Sequence, residues 1–149
     1  MAVPNFDDVL SAVNQSELKG AELRKFAMEQ LAQLPHYNWS GIYRLAGETL
    51  YLDEYVGAET DHTEIPVGRG VCGTAVAQRQ NQVIANVHEL DNYLACSLTT
   101  KSEIVVLIYG ASGEILGQID IDGHEFNAFD SKDEVFLEEL AKLLADRWN

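Results

Sequence analysis

Two pairs of β-rich runs, each joined by a very short loop, constrain the fold more than any other feature. Three residues separate residues 39–45 from residues 49–56, and four separate residues 103–109 from residues 114–122. Loops of this length join antiparallel neighbours, because parallel strands need a crossover of about a dozen residues or more. The sequence therefore predicts two β-hairpins.

Helical patterns stand at both ends of the chain. Residues 5–13 predict a short first helix, and from Ser16 apolar residues recur at helical spacing until Pro35 interrupts them. Near the C-terminus, residues 131–134 (Ser-Lys-Asp-Glu) predict a capping box at the start of the last helix. The apolar face of that helix holds Phe136, Leu137, Leu140, Leu143, Leu144 and Trp148.

The middle of the chain carries weaker signals. Residues 71–80 predict one short helix, and residues 82–85 predict a short strand. Residues 86–101 have no clear period and are predicted to form a long loop, a segment type that often carries function.

This order of elements predicts an α+β fold. We expect a central antiparallel sheet with the N- and C-terminal helices on one face and a ligand pocket under the loops on the other. A length of 149 residues suits a single domain spanning 1–149. No apolar run approaches the roughly 20 residues of a transmembrane helix, and no secretory signal is visible, so the cytoplasm is the expected compartment.

The net charge of the chain excludes some classes of binding partner. The 24 acidic and ten basic residues give a net charge of −14, a surface that repels nucleic acid and anionic lipid. Most of these carboxylates are expected to serve solubility. A few of them placed in a pocket would suit a ligand with an ammonium group.

The two cysteines are too few for a disulfide framework or for a zinc site built from cysteines. The four histidines show no metal-ligand spacing, so no metal site is expected. The remaining interpretations are two buried thiols or a redox pair, and the count alone favours buried thiols.

Position in the chain distinguishes the two cysteines. Cys72 lies in a glycine-rich segment, residues 65–75 (IPVGRGVCGTA), near the predicted start of a helix, where amide groups favour anions and thiolates. The alternative is a small thiol packed under a tight turn. Cys96 lies in the predicted long loop among small and polar residues, which favours a reactive thiol about as strongly as an inert one.

Three carboxylates form the least expected pattern. Strand alternation puts Asp120 and Asp122 on one face, and Glu103 opens the neighbouring strand of the same hairpin. They either form a solvated polar face or converge near the glycine-rich turn. In the second case, carboxylates and amides together would complement a zwitterionic amino acid.

Together these segments resemble the free methionine-(R)-sulfoxide reductases, which are stand-alone GAF-domain enzymes. The resemblance runs from about Tyr37 to Trp148. It rests on NWSGIY (38–43), PVGRGVCGTA (66–75), NVH (86–88), AC (95–96), KSEIV (101–105) and LGQIDID (116–122).

The resemblance implies an enzyme without a cofactor that reduces free methionine sulfoxide in two thiol steps. Cys96 matches the cysteine that attacks the sulfoxide sulfur and becomes a sulfenic acid. Cys72 matches a cysteine that resolves this acid to a disulfide, which thioredoxin then reduces. A homodimer is also expected.

The resemblance also implies a binding site for the substrate. Glu103, Asp120 and Asp122 match the carboxylates that hold the ammonium group and help to protonate the sulfoxide oxygen. Trp39 and Tyr43, on one face of their strand, match an aromatic wall around the S-methyl group. The amides of Gly70, Val71 and Cys72 are our candidates for binding the substrate carboxylate.

One position departs from the pattern. Many members carry a third cysteine ten residues before Cys72, where this chain has His62. Conversion of the Cys96 sulfenic acid to a disulfide would then depend on Cys72 or on an external thiol. Two other functions remain open: a non-catalytic GAF sensor for a small metabolite, and a structural dimer module that associates through its terminal helices.

Overall fold

The computed structural model describes residues 4–90 and 99–149. The described residues form α1 (Phe6–Gln15), α2 (Gly20–Leu31), β1 (Trp39–Ala46), β2 (Thr49–Val56), β3 (Glu64–Pro66), α3 (Gly70–Gln78), β4 (Gln82–Ile84), a 3₁₀ turn (Val87–Glu89), β5 (Ser102–Tyr109), β6 (Ile115–Gly123) and α4 (Ser131–Asp146).

The strands form one sheet in the order β3-β2-β1-β6-β5-β4, and each neighbouring pair is antiparallel. Both predicted hairpins are confirmed as β1–β2 and β5–β6. They join through β1 and β6, where Trp39 pairs with Asp122 and Gly41 with Asp120. The predicted site residues of β1, β5 and β6 therefore lie on adjacent central strands.

Three helices cover one face of the sheet, as expected. Helices α1, α2 and α4 bury an apolar cluster against it, which includes Val9, Leu23, Ile42, Ile121 and Leu140. Each large apolar side chain buried here contributes roughly 1.5–3 kcal/mol. In the part of the chain that is described, no helix combines the length and hydropathy needed to cross a membrane.

The opposite face carries the shorter helix α3. A second apolar cluster there contains Trp39, Tyr43, Ile65, Cys72 and Val105. Alternation along β5 separates the two clusters, because Ile104 and Val106 face the large helical layer while Val105 and Leu107 face α3. This second face contains the candidate site.

Some element boundaries differ from the sequence predictions. The capping box at residues 131–134 is wrong by one residue, because Asp130 is the N-cap. Its carboxylate accepts the amides of Lys132 and Asp133, and Asp133 in turn accepts the amide of Asp130. Helix α2 begins at Gly20 rather than near Ser16, since the Ser16 hydroxyl accepts the Leu18 amide in the intervening turn.

Candidate active site

Three carboxylates meet on the α3 side of the sheet. Glu103 on β5 lies opposite Asp122 on β6, and Asp120 lies two residues earlier on the same face. Ile119 and Ile121 point to the large helical layer. The exposed fraction is 2% for Glu103 and 0% for both aspartates. The expected convergence is confirmed, and the alternative of a solvated polar face is wrong.

The environment of the cluster raises the pKa values of two of its carboxyl groups. Burial raises the pKa of Glu103 well above its usual value, and the charges of Asp120 and Asp122 raise it further. Burial also raises the pKa of Asp120, although hydrogen bonds with Glu103 and Cys72 partly offset this effect. Burial and the two neighbouring charges therefore favour the protonated form of Glu103.

Helix α3 places Cys72 beside these carboxylates. The Cys72 thiol donates to Asp120 Oδ2 at 3.3 Å, and its Sγ lies 4.0 Å from Glu103 Oε2. The Cys72 sulfur and one oxygen each of Glu103 and Asp120 could serve as metal ligands, and these three atoms lie within 4.8 Å of one another. Gln118 Nε2 donates to the Cys72 carbonyl at 3.3 Å and ties α3 to β6. Sequence reasoning missed Gln118, although strand alternation puts it on the same face as Asp120.

A tight glycine turn brings the N-terminus of α3 to this cluster. Gly70 has a φ of 65°, a left-handed conformation that glycine adopts without steric cost. At Gly73 the backbones approach so closely that a Cβ would lie 2.6 Å from the Pro66 carbonyl oxygen. The N-cap residue, Arg69, makes no side-chain hydrogen bond to the first turn. The amides of residues 70–72 therefore present the positive end of the helix to the pocket.

A small pocket lies between α3, β3 and the carboxylates. Five residues predicted for the site line it: Gly70, Val71, Cys72, Glu103 and Asp120. Two basic residues complete the described polar lining, half-buried His62 and exposed Arg69. The sequence identified His62 as the residue in place of a third cysteine and did not assign Arg69. Their position in the same glycine-containing segment as Cys72 was the available signal.

The two predicted aromatic residues lie behind this pocket, in the apolar cluster that contains Cys72. Trp39 Nε1 donates to the Ala58 carbonyl at 2.9 Å, and the indole stacks on Tyr55 with 5.6 Å between ring centroids. The Tyr43 hydroxyl donates to the His62 carbonyl at 2.8 Å and so anchors one wall of the pocket. Both aromatic side chains are almost completely buried.

Cys96 lies outside the described residues, so its predicted role remains a prediction. The chain on either side of residues 91–98 is anchored at the carboxylate end of the sheet. The Val87 amide donates to the Lys101 carbonyl at 2.9 Å, and the Lys101 amide donates to the Gly123 carbonyl at 2.8 Å. Thr100 Oγ1 lies 3.4 Å from Asp122 Oδ2.

The curled antiparallel sheet, the helical layer and the pocket beneath α3 define a GAF domain. The GAF domain family matches residues 21–147 of the chain.

Similar proteins of known description indicate which group of GAF-domain proteins this chain resembles. The free methionine-R-sulfoxide reductase of Escherichia coli (strain K12) is 42% identical over 112 residues, which cover 75% of this chain and 67% of that protein. The protein of the same description from Saccharomyces cerevisiae is 43% identical over 110 residues, covering 72% of this chain and 61% of the yeast protein. This chain therefore matches less than two thirds of the yeast protein's length.

A solved structure supports the same relationship. The free methionine-R-sulfoxide reductase from Neisseria meningitidis, in complex with its substrate, superposes with a TM-score of 0.86 at 30% identity, covering 96% of this chain and 85% of that one. This chain belongs to the free methionine-R-sulfoxide reductase family, a group of GAF-domain oxidoreductases.

Proposed function

We propose that this protein reduces free L-methionine-(R)-sulfoxide to methionine. The observation that carries the proposal is the buried cluster of Glu103, Asp120 and Asp122 beside Cys72, in a chain of this family. Buried carboxylates are costly unless a partner compensates them, and a substrate ammonium group is such a partner. The pocket thus suits a small zwitterion better than an apolar ligand.

The substrate is held by its two charged groups. Its ammonium group binds Glu103, Asp120 and Asp122, while its carboxylate accepts the amides of Gly70, Val71 and Cys72 at the N-terminus of α3. Trp39 and Tyr43 form the aromatic wall near the S-methyl group.

The first chemical step transfers the sulfoxide oxygen to Cys96. The neutral carboxyl of Glu103 protonates the oxygen while the Cys96 thiolate attacks the sulfoxide sulfur. Collapse of this adduct releases methionine and leaves Cys96 as a sulfenic acid.

The second step regenerates the enzyme. The Cys72 sulfur attacks the sulfenic acid of Cys96, which forms a disulfide and releases water. Asp120 accepts the proton of the Cys72 thiol, to which it is hydrogen-bonded, and passes a proton to the leaving hydroxide, which departs as the water. Two thiols of thioredoxin then reduce the disulfide by exchange, and thioredoxin leaves as the oxidised partner. Because thioredoxin keeps thiols reduced in the cytoplasm, we place the reaction there.

The two cysteines serve as controls for each other. The Cys96→Ser variant should release no methionine from the (R)-sulfoxide with dithiothreitol or thioredoxin. Cys72→Ser should retain turnover with dithiothreitol and lose most turnover with thioredoxin. Full activity of Cys96→Ser would refute the assignment of the attack, and unchanged thioredoxin turnover of Cys72→Ser would refute the assignment of the resolving thiol. Tight methionine binding by a wild-type protein that shows no turnover would favour the sensor alternative.

We further propose a homodimer formed through α1 and α4. These helices frame a surface groove lined partly by Phe6, Leu10 and Val135, and Val135 is 54% exposed. Sedimentation equilibrium should give twice the chain mass of 16.5 kDa. Val135→Glu should shift the protein toward the monomer, and a wild-type monomer at all accessible concentrations would refute the proposal.

A further inference from the structure

The buried sulfur of Cys72 and the carboxylate oxygens around it form a set of atoms that could bind a metal ion. The Cys72 Sγ and one carboxylate oxygen each of Glu103 and Asp120 lie within 4.8 Å of one another. The sequence expectation of no metal site considered cysteine and histidine spacing only. Tertiary structure instead brings one thiol and two carboxylates together from three separate elements.

The spacing of these donors fits a tetrahedral metal ion. Zinc bonds of about 2.3 Å to sulfur and 2.0–2.2 Å to oxygen put the two donor atoms about 3.5–3.7 Å apart in a tetrahedron. The observed separations from Cys72 Sγ are 3.3 Å to Asp120 Oδ2 and 4.0 Å to Glu103 Oε2. Shifts of a few tenths of an ångström would therefore bring both oxygens to coordinating distance.

Glu103 adds an independent observation that points to a ligand. Its Oε1 atom is buried and has no hydrogen-bond partner among the described residues, although the side chain lines the pocket and is 98% buried. Such an oxygen loses its hydration without compensation, so a cation in the pocket would stabilise it.

The chemistry of the donors selects the class of cation. A thiolate is a soft ligand that favours Zn²⁺ and related ions over Mg²⁺ or Ca²⁺, which prefer oxygen ligands only. His62 lines the same pocket and carries an imidazole, another ligand that zinc accepts. The three donors leave a fourth position open for this imidazole or for water.

We propose that Cys72, Glu103 and Asp120 bind a thiophilic divalent cation of the Zn²⁺ class, which occupies the pocket in place of the amino-acid ligand. Binding displaces the thiol proton of Cys72 and the proton of Glu103, since the ligating forms are deprotonated. The same ion would withhold Cys72 from disulfide formation. The metal site stands on geometry alone, whereas its competition with substrate rests on the proposed function.

The test uses Zn²⁺ and Co²⁺ alone on the untagged full-length chain carrying Cys96→Ser, so that Cys72 is the only thiol present. Calorimetry should give one Zn²⁺ per chain, and Co²⁺ should produce a thiolate-to-metal charge-transfer band. Adding Cys72→Ser or Cys72→Ala should remove the band. Glu103→Gln and Asp120→Asn should each weaken Zn²⁺ binding by at least about 100-fold, the upper end for loss of an outer-shell partner.

The matched control is Glu29→Gln, which removes one carboxylate from an exposed position on α2 and should leave the Zn²⁺ affinity unchanged. Thermal unfolding of each variant checks that it is folded. Equal Zn²⁺ affinity with and without the Cys72 thiol would overturn the proposed site.

Competition between methionine and Zn²⁺ tests the metal site and the proposed function separately. Excess methionine should lower the apparent Zn²⁺ affinity of the Cys96→Ser protein. If Zn²⁺ requires Cys72 and ignores methionine, the exclusion of substrate is overturned while the metal site stands. If methionine binds and Zn²⁺ does not, the metal site is overturned and the proposed function stands.

Discussion

Gly41 on β1 offers a direct test of how the aromatic wall is held. A Cβ at this position would lie 2.4 Å from Cη2 and 2.5 Å from Cζ3 of the Trp39 indole. The indole cannot simply swing away, because it is 1% exposed, stacks on Tyr55 and donates its Nε1 hydrogen to the Ala58 carbonyl. The Gly41→Ala substitution should therefore force a buried tryptophan out of its position.

The magnitude follows from these contacts. Overpacking of a buried site costs about 1–3 kcal/mol, and loss of the indole hydrogen bond costs about 0.5–1.5 kcal/mol. Alanine also lowers the conformational entropy of the unfolded chain, which stabilises the folded protein by about 0.4–1 kcal/mol. We expect Gly41→Ala to lower the free energy of unfolding by about 2 kcal/mol. If Trp39 walls the pocket, KM for methionine sulfoxide should rise more than kcat falls.

A double-mutant cycle identifies the contact responsible. Cη2 and Cζ3 belong to the six-membered ring of the indole, which Trp39→Phe removes from that position. In the Trp39→Phe background the added Cβ still meets Tyr55 Cβ at 3.1 Å, so Gly41→Ala should cost less there without becoming neutral, which gives a coupling energy of about 1–2 kcal/mol in urea unfolding. Additive losses in the two backgrounds would refute the steric argument.

Gly47→Ala provides the matched control. Its φ is 62°, but no atom lies within 4 Å of the added Cβ. The substitution should cost about 1–2 kcal/mol from left-handed backbone strain. This cost should be the same with either residue at position 39, and KM should not change.

Three further predictions concern buried polar groups. Burial and neighbouring charges raise the pKa of Glu103 above its usual 4.5, so the folded chain keeps a proton that the unfolded chain releases, and stability falls as pH rises above that value. Glu103→Gln should flatten this fall, which amounts to at most about 1.4 kcal/mol per pH unit, in urea unfolding at several pH values. Arg24 is buried and bound to Asp53 at 2.5 Å, while Asp53 also accepts from Arg44 at 3.2 Å, so Arg24→Met should cost about 1.5–3 kcal/mol in the same assay at pH 7. The Tyr37 hydroxyl donates to Asp133 at 2.7 Å, so Tyr37→Phe should cost about 1.5–3 kcal/mol by thermal unfolding.

Each of these predictions has a result that contradicts it. For Glu103→Gln it is an unchanged pH slope, with the same substitution at exposed Glu29 as the control. For Arg24→Met it is a loss no larger than that of exposed Lys25→Met on the same helix. For Tyr37→Phe it is a loss no larger than that of Tyr51→Phe, whose side chain is partly exposed.

Local patterns were sufficient for most of the architecture. Short loops dictated the two hairpins, and helical spacing dictated the terminal helices. The start of α4 was misplaced because Ser131 and Asp130 are both good N-cap residues, and only the positions of the first amides distinguish them. Strand β3 has three residues and pairs with β2 through contacts that no local pattern encodes.

The site was predictable to a smaller extent. Strand alternation put Asp120 and Asp122 on one face, the hairpin placed Glu103 beside them, the glycine-rich segment singled out Cys72, and resemblance added Trp39 and Tyr43. It did not indicate that His62 and Arg69 line the pocket, because both come from turns whose path depends on the packing of α3. Gln118 was missed although its strand position was informative.

The sequence by itself determined which side chains share a strand face, because alternation is a property of the local backbone. It could not determine whether Asp120 and Asp122 face water or the interior, nor which group in the cluster holds a proton. Those outcomes depend on desolvation and on charges brought from β5 and α3, which are distant in the chain. Tertiary structure alone therefore turned a polar strand face and a glycine-rich turn into a buried acid–thiol pocket.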